Sequence, residues 1–561
     1  MKKSTMAGIG AAAVLAMAAF AAGCGGSSDS ASGTSTETTT TTTTPTPKGG
    51  IARYALQSDA DFTDPALAYY SVSWNIEYAT CAKLLNYPDT AGIPGAELQP
   101  EVAEAMPTLS NGDKTYTFTV RDGFKFSPPS NARVTAMTFK KVIERDLNKA
   151  MNSPSQSFAG DILGAKEYTA GTAKEISGVK VDGNKISITL VKPAADFLSR
   201  IAMPYFCAVP ENTPINANGV LAPAGAGPYY IKSRTPSRQI VLAKNPNYGG
   251  DRKTSLNGMI FSIGSPATAS LLDVKSNVTD WAADGLPPAS HQELAREYGP
   301  TSQAAKDGDQ RYFVSPSLSF RYLALNTSRP LFSNLKLRQA VQYAINRPAL
   351  LAQRGAFAGT PTDQYLPPGV PGYVDENIYP IDGPDVAKAK ELAGDIHEKA
   401  IMYTCDTSPC PETAAIVQQN LKAIGIDVEV RQFARAIQFS KEGTKGEPFD
   451  IAFEGWQADY PDPYDFLNVL LDGRTIKDAN NVNFSYLNDP AVNAKLDAAA
   501  ATTGSDRTET YAKLDAELVR DVSPLVAWGV DNDRDFFSDK VGCILHHAVY
   551  GIDIATMCKH A

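Results

Sequence analysis

The spacing of apolar and polar residues marks out the elements of the chain before anything else does. Ile51–Leu56 reads as an entering strand, and Lys114–Val120 (KTYTFTV) alternates as a half-buried strand does. Lys185–Val191 alternates again. Val134–Leu147 has helical spacing, with Thr135 placed to cap it. Gly225–Tyr230 is a turn into a strand, and Gln239–Ala243 is its hairpin partner. Arg321–Asn326 forms another strand. Asn334 caps a helix over Leu335–Ile345, which Pro348 helps to end.

The clearest unit lies further on. Lys399–Cys405 is a strand, Pro411–Ile424 is an amphipathic helix stopped by Gly425, and Ile426–Phe433 is a second strand. Proline opening a helix and glycine following it fit the two ends of a helix. Strand, helix and strand at this spacing make a βαβ unit, whose crossover is right-handed. Phe449–Trp456 supplies a further strand. The body is therefore expected to be α/β and mixed, doubly wound in its C-terminal half. There is no internal repeat, and the prolines between Pro361 and Pro371 read as turns between elements.

The first residues break from this pattern. Lys2 and Lys3 precede an Ala-rich apolar run from Ala7 to Ala22, closed by Ala21-Ala22-Gly23-Cys24. A basic start, a run short for a bilayer span and small residues before a cut are the marks of a secretory signal. A cysteine directly after that cut resembles the lipobox of bacterial lipoproteins, which implies a signal peptide over 1–23 and lipid attachment at Cys24. From Gly25 to Lys48 the chain is largely Gly, Ser, Thr and Pro, too polar to bury, so 24–48 reads as a tether and is excluded from the fold.

Composition narrows the class. A chain of 561 residues exceeds what one core serves, so two or three lobes are expected. Its net charge of −9, with no basic stripe, argues against nucleic acid. Membrane association must then come from the lipid. With Cys24 committed, Cys81, Cys207, Cys405, Cys410, Cys543 and Cys558 form an even set in an exported chain, which suggests disulfides. Proximity favours Cys405–Cys410 and Cys543–Cys558, leaving Cys81–Cys207. The histidines (His291, His397, His546, His547 and His560) show no metal-ligand spacing, and no metal or other cofactor is expected. His546 and His547 are adjacent, so in a strand they face opposite ways.

Ligands of open α/β sheets bind beyond the carboxyl ends of strands. There, Gly455-Trp456-Gln457-Ala458-Asp459-Tyr460-Pro461-Asp462-Pro463-Tyr464-Asp465-Phe466-Leu467 combines aromatic faces, three carboxylates and two prolines. A desolvated carboxylate in such a loop suits an ammonium group; a turn with capping aspartates is the alternative. No G-x-S-x-G, H-E-x-x-H or P-loop occurs.

The loop resembles the G-W-x-x-D segment of the bacterial extracellular solute-binding proteins of family 5, the oligopeptide and dipeptide receptors of ABC importers. Leu98–Ala105, Val120–Phe126, Asn245–Tyr248, Asn334–Ala340 and Ala344–Arg347 agree in order and spacing, and the likeness runs from about Gly49 to about Trp528. It implies a periplasmic-binding-protein-like fold with two hinged ligand-binding lobes and an extra small lobe. Lobe I would comprise 49–87, 206–310 and 527–561, the small lobe 88–205, and lobe II 311–526.

The resemblance also implies a site. Asp459 would pair with the α-ammonium group of a peptide, and the backbone of Gly455 and Gln457 would add the peptide as a strand. Trp456 and Tyr460 would be walls. The facing segment falls at Ala68–Ser73, with Tyr69, Tyr70 and Ser71. The arginine that some oligopeptide receptors carry just before the glycine is replaced here by Phe453, and Arg435, Lys441 and Lys445 lie upstream in a longer loop.

The implied protein is not an enzyme. It is a lipid-anchored receptor, monomeric, on the outer face of the cell membrane or in the periplasm, delivering short peptides to an ABC permease. Other readings keep the fold with an oligosaccharide, opine or metal chelate as ligand, make it a sensor, or make it a secreted hydrolase using Asp459 with Asp462 or Glu454.

Overall fold

The computed structural model describes residues 49–560, so the calls on the signal peptide, Cys24 and the tether lie outside the described residues. Three sheets organise these residues. The first has five strands in the order Trp281–Ala282, Ile51–Leu56, Gly258–Ile263, Gln239–Lys244 and Tyr229–Thr235. Ile51–Leu56 lies parallel to both of its neighbours, and Gln239–Lys244 makes the expected hairpin with Tyr229–Thr235.

The second sheet is small and antiparallel: Thr108–Ser110, Thr115–Thr119, Lys185–Thr189 and Val179–Asp182. The helix Ala136–Asp146 packs on it. Thr135 caps that helix as expected, in a capping box with Thr138, an arrangement worth about 1 kcal/mol. From the same helix, Arg145 forks onto Asp64 at 2.8 and 2.6 Å, a buried ion pair that ties the small sheet's body to the chain leading out of Ile51–Leu56.

The third sheet has six strands: Gly359–Thr360, Leu525–Phe536, Tyr312–Leu325, Ile451–Gln457, Glu398–Cys405 and Ile426–Phe433. Glu398–Cys405 and Ile426–Phe433 are parallel and joined by the helix Cys410–Lys422, so the βαβ unit stands. Helix Leu335–Ala344 starts on its Asn334 cap but stops before Pro348. That proline instead occupies the first turn of the next helix, Arg347–Ala352, where a missing N–H costs nothing.

Two strands run on from the third sheet towards the first. Tyr312–Leu325 and Leu525–Phe536 are antiparallel, with a register break between Pro316 and Phe320. On one side of it, Tyr312 and Phe536 pack with Leu271, Val274 and Leu294; on the other, Phe320, Tyr322 and Ala527 belong to the core of the six-stranded sheet.

The cysteines pair as Cys81–Cys207, Cys405–Cys410 and Cys543–Cys558, with Cα separations of 5.2, 5.5 and 5.5 Å, ordinary for disulfides. Among the described residues the single metal-like grouping, Glu77 with Cys81 and Cys207, therefore offers no free thiolate. No helix among them is long and apolar enough to cross a membrane.

The sequence reading missed the helix Ser71–Thr80. Nearly every side chain from Ser73 to Thr80 is buried, so the segment shows no apolar stripe for periodicity to detect. It also missed the strand Gly258–Ile263 and the helices Pro490–Ala500 and Gly504–Glu517.

Candidate functional site

The strand Ile451–Gln457 runs beside Tyr312–Leu325, with Gly455 opposite Arg321 and Gln457 opposite Ser319. Past its end the chain turns at Asp459 and enters the helix Pro463–Leu471. Asp462 caps that helix, accepting the Tyr464 N–H at 2.8 Å, and takes the Arg507 guanidinium at 2.6 Å. The capping-aspartate reading therefore holds for Asp462.

Asp465, in the first turn of the helix, reaches back into the loop. Its Oδ2 accepts the Asp459 N–H at 2.9 Å and the Trp456 indole N–H at 3.2 Å, so the whole G-W-x-x-D turn folds around one buried carboxyl. Burial, and then the Asp459 carboxyl beside it, push Asp465 well above the usual aspartate range.

Another aspartate shapes the facing segment. Asp61 accepts the N–H groups of Tyr69 and Tyr70 at 2.8 and 3.2 Å and the Ser73 hydroxyl at 2.5 Å, which sets the start of the helix Ser71–Thr80. From there the Tyr69 hydroxyl donates to Asp459 Oδ2 at 3.0 Å, and the Ser71 hydroxyl donates to Gln457 Oε1 at 3.0 Å. The two expected halves of the site thus meet across 390 residues of sequence.

Asp459 is 7% exposed, and no lysine, arginine or histidine among the described residues pairs with it. Burial raises its pKa to about 8, against the Tyr69 hydrogen bond, which lowers it. The carboxyl therefore favours its neutral form at ordinary pH. It becomes a strong partner for whatever cation displaces its proton.

Trp456 and Tyr460, expected as walls, are both taken up in core packing. Trp456 lies in the core of the six-stranded sheet with Phe320 and Phe466. Tyr460 is fully buried in the cluster of the small sheet, with Phe197 and Tyr205, and its hydroxyl donates to Asp196 Oδ2 at 3.0 Å. Arg200 holds Asp196 from the other side at 3.1 Å. Tyr460 so fastens the loop to the small sheet's body and leaves no ring face for a ligand. The chain turns after Gln457, where the strand ends, so strand alternation does not carry on to Tyr460.

A second group of charges lies at Gly455. Arg321 crosses that glycine so closely that a Cβ there would sit 2.7 Å from its Nη1. Arg321 Nε donates to Asp531 at 2.6 Å, and Arg354 reaches the same carboxylate oxygen at 3.3 Å. Arg435 lies over the Phe439 ring at 4.5 Å, with its nearest acidic partner, Glu454, at 3.5 Å. It belongs to the helix Arg435–Glu442, where a loop was expected. Lys441, on the same helix, is occupied by Glu447 at 3.4 Å and by the face of Phe433.

Arg321 and Arg354 escaped the sequence reading, as did Asp61, Asp465 and Asp196 in their present roles. Only Asp465 carried a local signal, an aspartate in the first turn after Pro463.

Residues 97–478 match the model of the bacterial extracellular solute-binding proteins, family 5 Middle. A probable D,D-dipeptide-binding periplasmic protein, DdpA, of Escherichia coli K12 is 26% identical over 482 residues, covering 83% of this chain and 86% of the relative. Among solved structures, a clavulanic acid biosynthesis oligopeptide binding protein 2 superposes with a TM-score of 0.81 at 24% identity, covering 92% of this chain and 97% of the other. The periplasmic binding protein DppA from Helicobacter pylori, in complex with the peptide STSA, gives 0.77 at 22% identity, with 92% and 99% covered.

Proposed function

Because the chain belongs to the bacterial extracellular solute-binding proteins of family 5, we propose that it captures short peptides between its two lobes and hands them to an ABC permease. One observation carries this reading. A buried carboxyl without a cationic partner, Asp459, sits where the two halves of the cleft touch through Tyr69. The peptide α-ammonium group takes that position, replacing the Tyr69 hydroxyl on Asp459 or sharing the carboxyl with it. The backbone of Gly455 and Gln457 pairs with the peptide as with an added strand, which is indifferent to side chains.

The six-stranded sheet forms lobe II and the five-stranded sheet lobe I. The paired strands Tyr312–Leu325 and Leu525–Phe536, with their register break, are the connection about which the lobes close. A ligand touching both lobes stabilises the closed population, and no bond is made or broken. Peptides as the ligand class are supported by the D,D-dipeptide-binding relative from E. coli and by the H. pylori complex with the peptide STSA. Cys24 anchors the chain by lipid, and the protein works as a monomer on the outer face of the membrane or in the periplasm.

Native mass spectrometry of the full chain, purified without denaturation, tests the reading. Small adducts that fragment as peptides are expected; a uniform non-peptide mass overturns peptides as the class. Cys24→Ala is expected to release the protein from membranes, and retention there overturns the anchor.

A further inference from the structure

A cavity of about 330 Å³ lies apart from the Asp459 turn, between the chain entering the small sheet and the loop 248–253. None of the residues lining it belongs to that turn or to the facing Tyr69–Ser71. One wall is built on the short pairing of Leu85–Asn86 with Gln99–Pro100, and Arg121 adds to it just past the strand Thr115–Thr119. The other wall is the connection from Gln239–Lys244 to Gly258–Ile263. Gly249 lets that connection close on the small sheet: a Cβ there would sit 2.3 Å from the Gly123 carbonyl oxygen.

Polar groups of both walls are short of partners. Glu101 is 6% exposed; its Oε2 accepts the Lys83 N–H at 2.7 Å, and its Oε1 is buried without a hydrogen bond. Across from it, the Arg252 side chain is 10% exposed. Arg252 donates from Nε to Asp89 at 2.8 Å and from Nη1 to the Tyr78 carbonyl. Its Nη2 lies 2.8 Å from Asp89 Oδ1 without the alignment of a hydrogen bond. Arg121 gives Nη1 to Asp251 at 3.2 Å and leaves Nε buried and unpartnered. Burial raises the Glu101 carboxyl above its usual range, against the charges of Arg252 and Lys83, which lower it. Glu101 and Arg252 are thus close enough to favour each other's charged form.

The charges lining the cavity balance: Arg121, Arg252 and Lys253 stand against Asp89, Glu101 and Asp251. A balanced lining gives neither a lone anion nor a lone cation much attraction. A ligand that carries both signs answers both sets of spare groups. Its carboxylate accepts from the unpartnered guanidinium N–H groups, and its ammonium group donates to Glu101 Oε1. Tyr248, edge-on to Phe124 at 6.2 Å, supplies an apolar surface for the rest of the molecule. The volume is at the small end for ligand pockets, which fits one amino acid better than a peptide.

We propose that this cavity is a second ligand site that binds a free α-amino acid, its carboxylate on Arg252 and Arg121 and its ammonium group on Glu101. The site stands independently of the peptide-receptor reading. Its ligand touches both walls, and so fastens the loop 248–253 to the small sheet.

Calorimetry on the full-length protein tests this with a panel of free α-amino acids bearing acidic, basic, aromatic and aliphatic side chains. At least one is expected to bind, and its α-amide and its N-acetyl derivative, each lacking one charge, to bind about ten- to a hundredfold more weakly. Glu101→Gln is expected to weaken the amino acid by a similar factor. Arg121→Gln, at a partly exposed residue with one surface ion pair to lose, is expected to do the same with an unchanged thermal midpoint. A saturating tripeptide mixture should leave amino-acid binding as it was; competition between the two places the amino acid in the main cleft and overturns the second site. Failure of the tripeptides to bind removes the peptide reading alone, and the two substitutions then decide the cavity. No binding by any amino acid, binding unaffected by both substitutions, or acetate binding as tightly as the amino acids overturns the proposal.

Discussion

The two ends of the segment from Gly455 to Asp459 are built on opposite electrostatic plans. At Asp459 a carboxyl is buried in a short continuous turn, its backbone held by Asp465 and its side chain by Tyr69. Charge is suppressed there, because burial pushes both aspartates up. At Gly455, Arg321 and Arg354 come from distant segments to share one carboxylate, Asp531, and Arg435 lies 3.5 Å from Glu454.

The difference is one of energetics. A desolvated partner discriminates strongly, because removing it strands a buried charge on the ligand. A partly solvated cluster steers and selects at lower cost per contact, since water screens it.

The comparison breaks first at Asp459. Asp459→Ala is expected to lose about 2–5 kcal/mol of peptide affinity by calorimetry, the range for one partner of a buried charge pair; unchanged affinity would take Asp459 out of the site. Asp465→Ala comes next. It orphans the Asp459 and Trp456 N–H groups, and a loss of about 1–3 kcal/mol in folding stability is expected from denaturant melts, with weaker binding alongside. A melt indistinguishable from wild type would show that the turn does not depend on that carboxyl.

The smallest effect is in pH. With Asp459 at about 8, an ammonium group must expel a proton to bind below that pH. Affinity is therefore expected to rise between pH 6 and 8, by at most about tenfold per unit. It levels off above, where the carboxyl is already ionised and an α-amine of pKa about 8 begins to lose its own charge. Asp459→Asn should flatten the slope. Affinity that falls as pH rises through this range contradicts an Asp459 that is neutral before binding.

How far these ends were legible in advance differs in the same way. The strand ending in Gly455-Trp456-Gln457, the aspartate two residues beyond and the facing Tyr69–Ser71 were all in place from local pattern and resemblance. What Trp456 and Tyr460 do was not, because a period of two in a strand says which faces alternate and nothing about which core lies on each side. Phe453 was noted as the wrong residue for a carboxylate receptor, and Arg435 was noted nearby. Arg321 read as an ordinary strand residue, since its significance depends on the glycine opposite, on a neighbouring strand.

By itself the sequence determined the α/β class, the βαβ unit from Glu398 to Phe433 to within a few residues, the two short-range cysteine pairs that proximity favours and the loop that carries Asp459. These follow from interactions a few residues long: side-chain period, caps, turn residues and short loop closures. The tertiary structure alone decided that Asp459 is buried without a cation among the described residues, that Tyr460 serves the core of the small sheet, and that Arg321 and Arg354 meet on Asp531. Each of those depends on the approach of segments hundreds of residues apart, as Tyr69 and Asp459 are. Desolvation, which sets the charge of Asp459, belongs to the packed whole and to no stretch of chain within it.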